Sequence, residues 1–350
     1  MIGLLLLHVF MPLTAASSHD NAVFQALPAV QAPRLPQETQ SILPEWKAPL
    51  DSDFTNSGPV VYDHRTGTTE IQRPYPVCKT CISDATDYKK PYETPNIILS
   101  DEASNDLTTS EVTQNPEMWP NSPTVRIISV WPSGKTSACS GMLVQKAHIL
   151  TAAQCTFTHL PENCIGEKSC WVDDLQIYND ANPDAVQPAS FIKILTWTSW
   201  IENRDYDDDL AAVALTAPLG EEIGWLGFGY HNDPLMTFFP SASFEYTSYP
   251  TESPYEGETM TTWMGQFNKI LEHQFYSVDP SQEGQSGASA HCPDANHIIH
   301  SVVSHTFKIN HDSLTGHTRI TSDKFYAIRD WIYGAVKGQP FQQYLPVIIQ

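Results

Sequence analysis

The stretch Ile149-Leu150-Thr151-Ala152-Ala153-Gln154-Cys155 decides how the rest of this chain is interpreted. An apolar run leads into small residues, which indicates a strand that ends in a turn. The turn carries an amide side chain, Gln154, directly before a cysteine. A glutamine cannot take up a proton near neutral pH, so Gln154 cannot act as a general base.

A second stretch, residues 209–215, is an apolar strand opened by the carboxylate of Asp209. A third, Glu283-Gly284-Gln285-Ser286-Gly287-Ala288-Ser289, places a serine between glycines. Glycines let the backbone bend sharply, and such a turn leaves the amides of Gly284 and Ser286 free to face a developing oxyanion. A Gly-x-Ser-Gly alone occurs by chance in many chains, but the order of the three stretches is much more specific.

Together these stretches resemble the chymotrypsin/trypsin-like serine peptidases, in which the first turn ends in Ala-Ala-His-Cys. Gln154 stands where that family has its general-base histidine, Asp209 where it has the orienting acid, and Ser286 where it has the nucleophile. The resemblance implies an all-β fold of two six-stranded antiparallel β-barrels with a C-terminal helix. It also implies that Gln154 and Ser286 face each other across a cleft, with Asp209 behind Gln154 and accepting hydrogen bonds from its amide and backbone.

Within that family, Val303-Ser304-His305-Thr306 and the later 316–321 stretch resemble the glutamyl endopeptidase branch. That resemblance implies that His305 and Thr306 bind an acidic substrate side chain, with His305 partly protonated so that it pairs with the carboxylate. A lone histidine on a strand is also compatible with an ordinary core or surface position.

Seven cysteines in a chain with an apolar N-terminus favour disulfides over metal, and neither a metal nor a cofactor is expected. The family pattern implies a bridge between the cysteines that flank the Gln154 segment. A short loop and a tether to the N-terminal segment account for four more, which leaves one of Cys78 and Cys81 free or intermolecular. The expected pairs are Cys139 with Cys155, Cys164 with Cys170, and Cys292 with either Cys78 or Cys81.

Residues 1–18 contain an apolar run that ends in small residues. The run is too short for the ~20 residues of a membrane span, so it predicts a secretory signal peptide and an extracellular protein. The formal net charge of -21, from 19 basic and 40 acidic residues, repels nucleic-acid phosphates and anionic lipid. Nucleic-acid binding is therefore not expected, and neither is a membrane span.

The chain changes character near residue 123. Residues 19–123 hold about half of the 27 prolines and predict an extended leader or propeptide that can contact the following domain. Residues 124–338 form the expected domain and 339–350 a peripheral tail. The domain ends in a helix that is expected to have Ser322 or Asp323 as its N-cap and to stop at Gly338. The expected strands cover 124–130, 191–197, 210–215, 223–228, 243–249, 269–278 and 297–307.

Two functions remain open on this sequence. One is a secreted peptidase homologue that is inactive or strongly impaired because of Gln154 and acts by binding a peptide or protein in its cleft. The other is an active serine endopeptidase that cleaves after acidic residues and is made from a precursor by removal of the leader. The identity of residue 154 favours the first, while Asp209, Gly284 and Ser286 keep the second open.

Overall fold

The computed structural model describes residues 57–75, 83–86, 110–179, 189–232, 238–278, 281–309 and 312–334. All of them belong to one compact unit, Ile42–Gln350. The expected signal peptide at 1–18, the tail at 339–350, and Cys78 and Cys81 lie outside the described residues.

The described ranges are mostly β-structure. The strands are β1 (Pro59–Asp63), β2 (Thr68–Ile71), β3 (Ser83–Ala85), β4 (Glu111–Val112), β5 (Thr124–Val130), β6 (Thr136–Gln145), β7 (His148–Thr151), β8 (Phe157–Thr158), β9 (Cys170–Trp171), β10 (Asp174–Tyr178), β11 (Phe191–Trp197), β12 (Ala211–Leu215), β13 (Gly229–His231), β14 (Phe244–Ser248), β15 (Thr261–Gly265), β16 (Lys269–Ile270), β17 (Gln274–Ser277), β18 (Ser289–Cys292), β19 (Ile298–Ile309) and β20 (Asp312–Arg319). The helices are α1 (Thr198–Asn203), α2 (Gly220–Ile223), α3 (Phe238–Ser241) and α4 (Ser322–Tyr333), with single 3₁₀ turns at Ala153–Cys155, Pro161–Asn163, Tyr206–Asp208 and Pro293–Ala295.

Two large antiparallel sheets carry the fold. The first has the strand order β10-β5-β6-β7-β12-β11-β1-β2, and the second β16-β17-β20-β19-β18-β14-β15-β4. The all-β fold with two barrels and a C-terminal helix is thus confirmed. Each sheet has eight strands instead of the expected six, partly because the segment before Thr124 contributes β1 and β2 to the first sheet and β4 to the second.

Three apolar clusters fill the structure. One lies within the first sheet and includes Ile127 and Ile149, and another lies within the second and includes Phe244 and Phe275. The third combines outward-facing residues of β6, β7, β11 and β12 with β19 and α4, and Phe325 of α4 is part of it. This third cluster joins the two sheets through apolar contacts.

Three details of the expected secondary structure are wrong. The stretch 269–278 is not one strand but two, β16 and β17, which pair with each other. The stretch 223–228 is not a strand, because Ile223 ends α2 and Gly224 adopts a positive φ of 81°. The terminal helix has Thr321 at its N-cap and ends at Tyr333, where Gly334 has a φ of 78° that stops the helix before the expected Gly338. None of the helices in the described part of the chain is long and apolar enough to span a bilayer.

The two disulfides expected within the first barrel are formed, with Cα–Cα distances of 6.2 Å for Cys139–Cys155 and 5.7 Å for Cys164–Cys170. Cys292 instead carries a free thiol, so its expected bridge to the N-terminal segment is wrong. Cys292 lies on β18 with only 1 % of its surface exposed. It packs in the apolar cluster of the second sheet, where it acts as a small apolar residue.

Candidate functional site

Strand pairing in the first sheet brings Gln154 beside Asp209. Gln154 lies in the 3₁₀ turn that follows β7, and Asp209 lies just before β12. Because β7 and β12 are antiparallel neighbours with Ala211 opposite Thr151, the end of one meets the start of the other. Asp209 Oδ1 accepts a hydrogen bond of 2.8 Å from the backbone amide of Gln154.

The serine turn is held against the first sheet by glycines and backbone contacts. Gly284 and Gly287 have φ values of 90° and 87°, which favour glycine. A Cβ at position 287 would collide with Thr151 Oγ1 and the Ser140 carbonyl, and would lie 2.8 Å from the Ala152 amide nitrogen. The Ser140 amide donates to the Ser286 carbonyl at 2.8 Å, which fixes the serine beside the turn that carries Gln154.

The backbone amides of this turn remain available. Within the residues that the structure describes, neither the Gly284 nor the Ser286 N–H donates a hydrogen bond. The neighbouring amide of Gly287, by contrast, donates to the Val303 carbonyl at 2.7 Å. The free pair matches the oxyanion donors that the sequence predicts, and their role in binding an oxyanion stays a prediction.

The Gln154 side chain spans the cleft to the second sheet. Its Nε2 donates to the Ser304 carbonyl and, at 3.3 Å, to Ser286 Oγ. A carbonyl can only accept, so the amide nitrogen and not the amide oxygen must face Ser304. The same nitrogen therefore faces Ser286, and among the described residues no group accepts the proton of the Ser286 hydroxyl. The structure thus brings Gln154, Ser286 and Asp209 together, but without a base.

Asp209 is fully buried and joins the two sheets. Its Oδ2 accepts a hydrogen bond of 2.6 Å from Ser304 Oγ, while Oδ1 is bonded to Gln154. Burial raises the pKa of Asp209 to about 7, although the hydrogen bonds from Ser304, Gln154 and Ala153 act in the opposite direction. The side-chain amide of Gln154, which was expected to bond to Asp209, reaches Ser304 and Ser286 instead.

Sequence reasoning missed Ser304 as part of this site. It used the 303–306 stretch only for substrate preference, although a hydroxyl one residue before His305 was visible. Ser304 holds the Asp209 carboxyl through its side chain and the Gln154 amide through its carbonyl. No spacing rule along the chain predicts this double contact, because it depends on how the sheets face each other.

His305 and Thr306 lie at the cleft but are engaged within the protein. The His305 ring lies 4.3 Å from the Tyr206 ring, and burial lowers its pKa to about 4. The expectation that His305 is partly protonated at neutral pH is therefore wrong, since its ring is neutral there. Thr306 Oγ1 lies 2.7 Å from Ser281 Oγ and donates to the Ser281 carbonyl at 3.1 Å, so these two segments contact each other directly.

The other histidines near the first turn do not replace the missing base. Burial lowers the pKa of His148 to about 4, and its ring packs on Trp331 of α4 at 5.5 Å. His159 Nε2 lies 2.7 Å from the Trp200 carbonyl oxygen. Neither ring hydrogen-bonds Ser286. The described ranges also contain no group of three His, Cys, Asp or Glu side chains that could bind a metal ion.

Comparison with known proteins supports the fold. No family of related sequences matches this chain, and no curated protein does. Among solved structures, a Glu endopeptidase determined in complex with MPD is similar with a TM-score of 0.51 at 15% identity, covering 63% of this chain and 94% of its own. A protease from Arthrobacter nicotinovorans, Anisep, is 18% identical with a TM-score of 0.46, over 57% of this chain and 90% of its own. The chain thus has the chymotrypsin-like serine protease fold.

Proposed function

We propose that this protein is a secreted homologue of serine peptidases that is catalytically inactive or strongly impaired and acts by binding a peptide or protein. One observation carries the proposal: the Gln154 amide nitrogen points at Ser286 Oγ, where a base would have to take the serine proton. A serine hydroxyl without such an acceptor is a weak nucleophile.

The expected loss of activity is large. Removal of the base from such a site costs on the order of 10⁶ in turnover. At about 1.4 kcal/mol per factor of ten, this equals roughly 8 kcal/mol of transition-state stabilisation. His148 and His159 are both engaged elsewhere, so neither of them supplies this contribution.

A binding role has support at the edge of β19. This strand pairs with β18 up to Val302 opposite Ser289, and its backbone hydrogen bonds continue to Val303, which bonds Gly287 and Ala288. The carbonyl of Ser304 follows directly, beside Ser286, where an extended peptide can add as a further strand. In this structure the Ser304 carbonyl already accepts a hydrogen bond from the side-chain amide of Gln154. A peptide that adds to this edge must therefore displace the Gln154 side chain.

The second candidate is an active endopeptidase that cleaves after acidic residues. It is favoured by the retained Asp209 and Ser286 and by the free amides of the serine turn. The neutral His305 weakens the argument for an acidic preference, because an uncharged imidazole gains only a neutral hydrogen bond with a carboxylate.

Secretion is supported by the apolar N-terminus of the sequence and by two disulfides in the first barrel. Disulfides persist in oxidising compartments and are rare in the reducing cytosol. Mass spectrometry of the protein secreted from expressing cells would give the mature N-terminus, which is expected after residue 18.

The test is restoration of the base. The variant Gln154→His places an imidazole between Asp209 and Ser286, so labelling by a fluorophosphonate and cleavage of a peptide after glutamate should rise by several decades. The control variants are Gln154→Asn, which keeps an amide, and Gln154→His combined with Ser286→Ala, which removes the nucleophile. Neither should gain activity.

One outcome would overturn the proposal. Saturable fluorophosphonate labelling of Ser286 in the wild-type protein would show that the serine is already activated. Folded Gln154→His protein with no gain would leave the wild type inactive, but it would contradict the argument that Gln154 alone causes the inactivity. A competition assay, in which an unlabelled extended peptide displaces a labelled one from the protein, measures peptide binding separately from catalysis.

A further inference from the structure

We infer that residues 57–75, although they precede the peptidase-like domain in the sequence, are a permanent component of the first barrel that stays bound without a covalent link when the chain is cut after them. The inference concerns the surface formed by the edge of β11 and its partner, the β1–β2 hairpin. It does not depend on whether Ser286 is active.

The hairpin completes the backbone pairing of the first sheet. β1 pairs with β11 in an unbroken register from Pro59 opposite Trp197 to Asp63 opposite Lys193. The pairing continues beyond β1, because the Thr198 amide donates to the Gly58 carbonyl at 3.0 Å. Without the hairpin, this edge of β11 would be an unpaired strand edge, which native proteins avoid leaving exposed.

Successive side chains of β1 are buried on opposite faces of the sheet. Val60 is 2% exposed and Val61 7% exposed. Val61 belongs to the cluster that joins the two sheets, whereas Tyr62 packs on the cluster inside the first barrel. The Tyr62 ring stacks on Trp171 with 4.6 Å between centroids. A strand that is covered on both faces is an internal strand of the fold and not a surface segment.

The start of the hairpin is anchored to a buried ion pair. Ser57 Oγ donates to Asp208 Oδ2 at 2.8 Å, and the Ser199 hydroxyl also bonds to this oxygen. The other oxygen of Asp208 lies 3.0 Å from Lys324 Nζ on α4. The hairpin, the segment that leads into Asp209 and the C-terminal helix therefore meet at one carboxylate.

No covalent bond can substitute for these contacts. Residues 1–75 contain no cysteine, so no disulfide can link the hairpin to the rest of the chain after a cut. A precursor that is cleaved between Tyr75 and Cys78 would therefore become a protein of two chains without a covalent link. Removal of the whole leader, as the active-enzyme alternative requires, would also remove two strands, β1 and β2, from the first barrel.

The test uses the full chain with two inserted recognition sequences for a specific protease, one directly before Ser57 and one directly after Tyr75. After cleavage, size-exclusion chromatography in native buffer should show the 57–75 fragment eluting with the body of the protein, at a melting temperature within a few degrees of uncut protein. The fragment should separate only in denaturant. Its separation in native buffer, whether or not the remaining chain stays folded, would overturn the inference.

A matched pair of variants checks which contacts hold the fragment. Val61→Asp places a carboxylate in the cluster between the sheets and should release most of the fragment after cleavage. Thr69→Asp changes an exposed residue of β2 in the same fragment and should release none. Equal retention in both variants would show that the buried face of β1 is not what holds the fragment, and would also contradict the inference.

Discussion

The buried carboxyl of Asp209 should make the stability of this protein fall as pH rises toward neutral. The pKa is about 7 in the folded protein against an ordinary value of 3.8, because the carboxyl is buried. Between these values the folded state holds a proton that the unfolded state has released. The free energy of unfolding contributed by this group is therefore fully present below pH 3.8 and is lost as pH rises through 7.

The size of the effect follows from the shift. Each pKa unit corresponds to about 1.4 kcal/mol, so a shift of roughly 3 units gives about 4 kcal/mol across the whole window. The variant Asp209→Asn cannot titrate. Relative to wild type, its unfolding free energy should rise by about 1.4 kcal/mol per pH unit between pH 5 and pH 7. The quantity to plot against pH is the difference in unfolding free energy between the variant and the wild type. A pH-independent cost of the substitution shifts this difference but does not change its slope.

Comparison of slopes is needed because buried histidines act in the opposite direction. Burial lowers their pKa, so each one favours unfolding as pH falls below its ordinary value of 6.5. These residues are His148, His291, His300, His305 and His317. They are unchanged in the variant, and their contributions cancel in the difference unless the substitution alters their surroundings.

The assay is urea unfolding at half-unit intervals from pH 5 to pH 8, with linear extrapolation to zero denaturant. Glu245 provides the matched control, because burial alone raises its pKa from 4.5 to about 7 and it lies on β14, in the second sheet. Glu245→Gln should show the same slope difference, and the double variant should show twice that difference. A slope for Asp209→Asn that equals the wild-type slope would refute the reasoning, since the carboxyl would then be ionised in the folded state.

Two further predictions concern stability. Gly287→Ala should destabilise the protein by about 3 kcal/mol or more, because the added Cβ would collide with backbone atoms and residue 287 has a positive φ. The control Gly134→Ala has a similar φ but open space around the added Cβ, and it should cost only about 1 kcal/mol. Lys324→Met should cost roughly 3 to 5 kcal/mol by leaving Asp208 buried without its partner, whereas Lys193→Met, in an exposed pair, should change stability by less than about 1 kcal/mol. Thermal and urea unfolding measure both pairs of variants, and equal losses within either pair would contradict the corresponding argument.

The sequence predicted the fold well where a feature depends on local pattern. The runs at 124–130 and 191–197 coincide with β5 and β11, because enrichment in β-branched and aromatic residues is visible in the sequence itself. The prediction of a strand at 223–228 is wrong, because the apolar residues of this stretch pack in a loop that follows Gly224. The sequence predicts an extended leader where the structure has the β1–β2 hairpin. The hairpin is stabilised by pairing with β11, which lies far away in the sequence, so the local pattern does not indicate it.

The site shows the same division. The order of the motifs along the chain was enough to predict that Gln154, Asp209 and Ser286 lie close together. Each of them lies at the end of a strand or in a glycine turn. It could not predict the charge of His305, which depends on burial against Tyr206, nor the orientation of the Gln154 amide, which is set by the Ser304 carbonyl. These properties arise where the two sheets meet, and no single segment contains them.

In an inactive protein of the kind proposed here Asp209 has no catalytic role, yet this carboxyl is fully buried and hydrogen-bonded by both sheets. Its position gives it a second role. It fixes the turn of Gln154 through one oxygen and the β19 strand through Ser304 with the other, so it sets the width of the cleft. The adjacent Asp208 is tied to the β1–β2 hairpin and to α4 in the same way. The two neighbouring carboxyls thus link four parts of the chain, so they have a structural role whether or not Ser286 is active.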